Sequence, residues 1–210
     1  VSEEKPSIDV PEDGPFLVKG LKKLTNHENQ PVAMQKDVIA LCRCGASENK
    51  PFCDGTHKDI GFSGKKERTE IYPVREYIGE ELTVVDDVGI CCDARLCTHG
   101  APETFFRWDG DERISEPDKE ARDKVIETIR ACPSGSLAYK LDGKLHDEFF
   151  SEAEIFISKD GPLHVRGGIE FNDPDGANPP TTDHYTLCRC GASKNKPFCD
   201  GAHKDVGFKD

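Results

Sequence analysis

The sequence predicts a β-rich α+β protein. Two copies of one short-strand unit pack on each other about a pseudo-twofold axis, and a small α+β domain is inserted between them. Two observations predict this. The segment Cys42-Arg43-Cys44-Gly45-Ala46-Ser47-Glu48-Asn49-Lys50-Pro51-Phe52-Cys53-Asp54-Gly55-Thr56-His57 recurs as Cys188-Arg189-Cys190-Gly191-Ala192-Ser193-Lys194-Asn195-Lys196-Pro197-Phe198-Cys199-Asp200-Gly201-Ala202-His203. The stretch between the copies has a different periodicity and four further cysteines. A single copy buries too little to stand alone, so the two are expected to cover each other as the protomers of a homodimer would.

The repeat reaches beyond the cysteine loop. Gly14-Pro15-Phe16-Leu17-Val18-Lys19-Gly20 matches Gly161-Pro162-Leu163-His164-Val165-Arg166-Gly167, giving strands with the apolar sets Phe16, Val18, Leu21 and Leu163, Val165, Ile169. Turn compositions follow at 26–31 and 172–180. Ile39-Ala40-Leu41 and Tyr185-Thr186-Leu187 then lead into the loops, and Ile60-Gly61-Phe62 and Val206-Gly207-Phe208 close the copies. In the middle segment, 70–77 and 82–85 read as β-branched strands. Ser115-Glu116-Pro117-Asp118 starts a helix, with proline and acids in the first turn. Ala121, Val125, Ile126 and Ile129 recur at helical spacing through Arg130. Cys132-Pro133-Ser134-Gly135 ends that helix, 136–141 returns as a strand, and Asp142-Gly143 is a tight turn. The domains divide as 1–66, 67–145 and 146–210.

Hydrophobic residues make up 35% of the 210, and the mean hydropathy is −0.62. Modules this polar need a staple, either disulfides or a metal. Ten cysteines could supply either. The spacing favours metal: Cys-x-Cys in a Gly/Ser loop, with a histidine four residues after the third cysteine, gathers donors at one point. The 28 basic residues against 40 acidic give −12, the wrong sign for a nucleic-acid partner. No apolar run approaches the ~18 residues of a membrane span. The opening Val1-Ser2-Glu3-Glu4-Lys5 is no signal peptide, although whether a leader precedes it stays open. Thiols kept as ligands fit a reducing compartment, and the expected location is cytoplasmic.

Three thiols and one imidazole per loop suit a soft or borderline metal. A closed zinc tetrahedron is one reading, but zinc modules usually open with Cys-x₂₋₄-Cys. Here the opening is Cys-x-Cys. A two-iron centre could take that pair on one iron and Cys53/His57 or Cys199/His203 on the other. Gly45, Gly55, Gly191 and Gly201 would let the backbone approach sulfide. Asp54 and Asp200 read as caps of the following turn, and Lys50, Lys58, Lys196 and Lys204 mostly as solvated charges. With these residues in view, the chain resembles the CDGSH iron–sulfur domain family, the mitoNEET-like proteins, at every defining position of both loops. The resemblance implies two [2Fe–2S] clusters, one on Cys42, Cys44, Cys53 and His57, the other on Cys188, Cys190, Cys199 and His203. It also implies an intramolecular version of the family's strand-interleaved β-cap dimer, hence a monomer with an internal pseudo-dimer. Imidazole, unlike thiolate, can lose its metal to a proton near neutral pH, and it raises the reduction potential. Proton-coupled reduction at His57 and His203, and acid lability, are therefore expected.

The middle cysteines are Cys91, Cys92, Cys97 and Cys132, the last followed by Pro133. A bacterial ferredoxin uses Cys-x₂-Cys-x₂-Cys and a remote Cys-Pro. Ala94 holds the position of the missing cysteine, which leaves the spacing of a [3Fe–4S] site. Residues 88–139, with Cys-Pro-Ser-Gly-Ser-Leu, resemble the divergent single-cluster ferredoxins, and the implied ligands are Cys91, Cys97 and Cys132. Cys92 stays open between a buried small residue, a free thiol and the fourth ligand of a [4Fe–4S] cluster. The bland alternative is an insert with inert cysteines. His99 reads as a surface or hydrogen-bonding residue, and Phe105, Phe106 and Trp108 read as core.

No nucleophile–base pair or open substrate site emerges, so the expectation is not an enzyme. The leading reading is an electron-transfer protein that works with a redox partner protein. Cluster storage, transfer to an apo-protein acceptor, and redox or pH sensing form the second reading. A zinc scaffold is the third. Neither nucleic acid nor membrane is an expected partner.

Overall fold

The computed structural model describes residues 5–109 and 112–210; the side chains of 107–109, 112 and 113 lie outside this description, Trp108 among them. Among the described residues the chain is a β-rich α+β fold of three four-stranded sheets, one hairpin and three short α-helices.

In the first sheet Ser7–Asp9 pairs antiparallel with Phe16–Lys19, which pairs antiparallel with Val38–Leu41. Its far edge is Glu170–Asn172 from the second copy, parallel to Ser7–Asp9 with Ile8 opposite Phe171. The second sheet repeats the arrangement. Glu154–Ile157, Leu163–Arg166 and His184–Leu187 run antiparallel, and Leu24–Thr25 from the first copy adds the edge, parallel to Ile155 and Phe156. Each copy thus lends a strand to the other's sheet.

The period-2 pattern explains which faces meet. Ile8, Phe16, Val18, Leu24, Ile39 and Leu41 point into one cluster with Ile155, Ile157, Leu163, Val165, Tyr185 and Leu187. Burying a side chain of this size is worth roughly 1.5–3 kcal/mol, and either copy alone would leave that face in water. The exchanged strands also give the edge residues of each sheet their hydrogen-bond partners.

The insert is an antiparallel sheet in the order Lys144–His146, Leu137–Leu141, Thr83–Asp86, Arg75–Ile78. The helix Arg122–Arg130 presses Val125 and Ile129 onto Leu82, Val84, Leu137 and Phe105. Asp142 and Gly143, both at positive φ, make the tight turn between the first two strands.

Three local expectations change. The strand expected over 70–77 begins only at Arg75. Pro73 has no N–H to give a ladder, and Ile71, at 94% exposure, has nothing to pack on. The helix expected from Pro117 is broken into a 3₁₀ turn, Pro117–Lys119, and the helix from Arg122. Asp118 turns aside to accept the Glu80 N–H at 2.8 Å, and Glu120 accepts that of Thr104 at 3.3 Å. A further short helix, Leu96–Gly100, and the hairpin Arg107–Asp109/Glu112–Ile114 had no clear periodic signature. Among the described residues no helix is long and apolar enough to cross a membrane.

Candidate metal centres

Each loop is pinned to the strand that feeds it. The Cys42 N–H donates to the Pro51 carbonyl and the Cys53 N–H to that of Ala40, both at 2.8 Å. Cys188 and Cys199 do the same to Pro197 and Thr186 at 2.9 and 3.1 Å. Ser47 Oγ donates to the Phe52 carbonyl at 2.7 Å and accepts from the Asn49 N–H at 3.1 Å. Ser193 repeats both bonds with Phe198 and Asn195. Asp54 accepts the Thr56 N–H at 3.0 Å and the Glu48 N–H at 2.8 Å; Asp200 takes those of Ala202 and Lys194. The aspartates therefore cap the following turn and also tie it to the loop's shoulder. Hydrogen bonds from Thr56 and Glu48 hold the Asp54 carboxyl far below its usual range.

The arginine inside each Cys-x-Cys was not anticipated as a working residue. Arg189 is 2% exposed and donates to the Gly161 and Ser158 carbonyls at 2.6 Å and to Asp210 at 2.9 Å. Arg43 donates to the Pro11, Glu12 and Gly64 carbonyls at 2.9, 3.2 and 2.9 Å. Each guanidinium clamps the loop to the turn before its own hairpin. The repetition of arginine at the same place in both copies was the available signal. Lys50 and Lys196 are not solvated charges: their ammonium groups cap the Ser47 and Ser193 carbonyls at 2.8 and 2.7 Å, and Lys196 is 4% exposed. Burial within the loop overrides their length and charge.

The structure brings the expected donors together in pairs. Cys42 Sγ lies 3.8 Å from Cys44 Sγ, and Cys53 Sγ 3.3 Å from His57 Nδ1. In the second loop the separations are 3.6 Å for Cys188/Cys190 and 3.5 Å for Cys199/His203. Among the described residues no group of three or more His, Cys, Asp or Glu side chains stands at the spacing of one bare ion. Burial pushes the Cys44, Cys53 and Cys199 thiols up, while the Cys199 sulfur accepts the Gly201 N–H at 3.5 Å. In the Cys188/Cys190 pair the mutual hydrogen bond favours the Cys188 thiolate and raises Cys190. A metal bound at these sulfurs must displace their protons, so binding there releases protons and is disfavoured by acid. Three sulfurs and one imidazole gathered in each loop are a donor set that fits thiophilic iron.

The loops differ in cover. Cys199 is 2% exposed, and burial pushes the His203 imidazole down. Cys53 is only half-buried, while His57 and His203 are alike in being half-buried. The cover comes from the insert, whose four cysteines line one recess with Phe106 and Ser134. Cys91 follows a 3₁₀ turn that Asp87 caps through the Gly89 N–H at 2.9 Å, and Cys97 rides on the short helix. Cys132 is buried, 3.6 Å from Ser134 Oγ. Cys92 is buried where the recess meets the second loop, its carbonyl oxygen 3.4 Å from where a Cβ at Gly201 would stand; burial first, then the Cys132 and Cys91 thiols, pushes it up to about 12. Ala94 is exposed. His99 lies at the surface, its Nδ1 2.7 Å from the Arg95 carbonyl.

Comparison with family models matches residues 13–58 and 160–204 to an iron-binding zinc finger of CDGSH type, and residues 77–142 to a divergent 4Fe-4S mono-cluster domain. Comparison with curated proteins and with solved structures gave no match.

Proposed function

From a chain in which two CDGSH-type iron-binding domains flank a divergent 4Fe-4S mono-cluster domain, an iron–sulfur protein, we propose a one-electron carrier with three cluster sites. The domains are taken as 1–66, 67–145 and 146–210, with the strand exchange forming a pseudo-twofold pair around which the insert is attached. Cys42, Cys44, Cys53 and His57 hold the first [2Fe–2S] group, and Cys188, Cys190, Cys199 and His203 the second. Cys91, Cys97 and Cys132 hold a [3Fe–4S] group. These groups, when bound, supply reversible one-electron chemistry.

The residues themselves set access between the sites. Cys92 is buried, lines the insert's recess, and has its carbonyl oxygen 3.4 Å from where a Cβ at Gly201 of the second loop would stand, so it makes one shared wall of the recess and that loop. This observation carries the reading, because a store of separate clusters has no need to bring two unlike sites into contact. Arg43 and Arg189 hold the Cys-x-Cys turns rigid, which limits the rearrangement that a change of charge would otherwise require. With the adjacent Cys53/His57 and Cys199/His203 pairs assigned as cluster ligands, the protein is read as a carrier. Electron paramagnetic resonance tests the reading, together with iron and sulfide analysis. The expected result is a signal from the insert in the oxidised protein and signals from the paired loops only after reduction. A colourless, iron-free, zinc-loaded protein would overturn it.

Cluster delivery to an apo-protein is the second reading, favoured by Cys53, half-buried where its counterpart Cys199 is buried. Incubation with an apo-ferredoxin acceptor tests it: loss of one cluster's worth of iron from the first loop alone is the expected outcome.

A further inference from the structure

The second loop and the insert meet through a small set of groups. Asn195 Nδ2 donates to the Gly89 carbonyl at 3.0 Å. Lys204 Nζ reaches the Asp93 carboxylate at 2.7 Å. A Cβ at Gly201 would come within 3.0 Å of Asp93 Cβ, so the glycine admits the insert's loop. Cys92 rests against Thr186. Under this contact Asn195, Phe198 and Cys199 are 2%, 6% and 2% exposed.

Every one of these positions has a counterpart in the first copy, and there the surface is open. Asn49 stands for Asn195, Lys58 for Lys204, Gly55 for Gly201 and Ala40 for Thr186. Asn49 and Lys58 are exposed, and Lys58 has no ion-pair partner among the described residues. Nothing lies within 4 Å of a Cβ at Gly55. Phe52 and Cys53 are half-buried where their counterparts are sealed. Val38, Ala40, Asn49, Phe52 and Cys53 line a groove of about 350 Å³ whose rim residue Val38 is 44% exposed.

We infer that this groove is a docking site for a separate single-cluster ferredoxin-type protein, seated on the first copy as the chain's own insert is seated on the second. The insert itself cannot fill it while its docking loop is engaged with Asn195 and Lys204. A second copy presents the same engaged loop. A fitting partner carries a free main-chain carbonyl for Asn49 and a carboxylate four residues later for Lys58, the spacing of Gly89 and Asp93. The inference rests on the electron-transfer reading for the partner's identity; the groove itself is independent of it.

The test titrates a holo single-cluster ferredoxin bearing that carbonyl–carboxylate spacing into the full iron-loaded chain by calorimetry. Saturable binding is expected. Lys58→Glu and Asn49→Ala should each weaken it by about fivefold or more, the loss of one charge-assisted or neutral hydrogen bond. Ala40→Arg should abolish it by filling the groove, whereas Lys144→Glu on the insert's far edge should leave it unchanged. Unaltered iron content and visible spectrum serve as the folding control. Lys58→Glu, on an exposed residue, keeps the test valid if Ala40→Arg does not fold. No binding at ~1 mM probe, or binding that the groove variants leave unchanged, overturns the inference. So does self-association that Ala40→Arg removes, since the occupant is then a second copy. Probe binding through the groove with no electron exchange between the bound, iron-loaded partners would overturn the redox reading and leave the docking site standing.

Discussion

Cys44 and Cys190 face each other across an antiparallel bridge between the two loops. The glycine after each makes the approach possible. A Cβ at Gly45 would lie 2.5 Å from the Cys190 carbonyl oxygen, and one at Gly191 2.5 Å from that of Cys44. Both glycines have positive φ, +80° and +78°. Gly45→Ala and Gly191→Ala should each cost about 2–4 kcal/mol, combining left-handed backbone strain with overpacking. Because the two sites share one contact, the double variant should fall short of the sum. Equilibrium denaturation of the four proteins checks both statements.

His57→Cys and His203→Cys replace a neutral ligand by a charged one. Each should lower the potential of its own loop, by on the order of 100 mV, and remove the pH dependence of that loop's reduction. Potentiometry from pH 6 to 8 reads both effects. An unchanged pH slope in either variant would refute the fourth-ligand assignment.

Arg189→Ala removes the guanidinium from the buried Gly161 and Ser158 carbonyls and from Asp210. A loss of about 3 kcal/mol is expected. Arg189→Lys should rescue little of it, since one ammonium cannot reproduce the planar fork. Thermal unfolding of both variants decides the point.

Cys92→Ala and Cys97→Ala separate wall from ligand. With three ligands at the insert, Cys97→Ala should lose its iron while Cys92→Ala keeps three irons there. Loss of the insert's iron in Cys92→Ala would instead mean a [4Fe–4S] group held by four cysteines. Iron analysis with the oxidised-state resonance signal distinguishes the two.

Burial pushes His164 down to about 3, with Arg166, Arg189 and His203 adding to the effect. The unfolded chain therefore binds a proton below pH ~6.5 that the folded protein refuses until about pH 3. Stability should fall as pH drops through that window, by up to about 1.4 kcal/mol per pH unit. His184 is shifted in the same direction, again chiefly by burial. The comparison is between the protein and His164→Leu in the same buffers: the variant should show the shallower acid slope.

The doubled loop was legible because its information is local: cysteines, glycines and a histidine at fixed spacing specify one turn. The alternation of Phe16/Val18 and Leu163/Val165 likewise gave the inward faces. The strand exchange was harder to read. Leu24–Thr25 and Glu170–Asn172 are too short to show a period, and their partners lie more than a hundred residues away. The roles of Arg43, Arg189, Lys50 and Lys196 were obscured by residue type, because charged side chains usually sit in water. The recess that gathers Cys91, Cys92, Cys97 and Cys132 depends on the insert's sheet and the Leu96–Gly100 helix, and spacing alone left Cys92 without a side.

Since Ser7–Asp9 finds its neighbour in Glu170–Asn172, a ribosome has to run past residue 172 before the first sheet can finish. Until then its edge is bare, and the first loop stands on an unfinished foundation. Nascent chains stalled before residue 170 should accordingly be the most protease-sensitive and the most dependent on chaperones, with iron loading of the first loop deferred until Glu170–Asn172 has emerged.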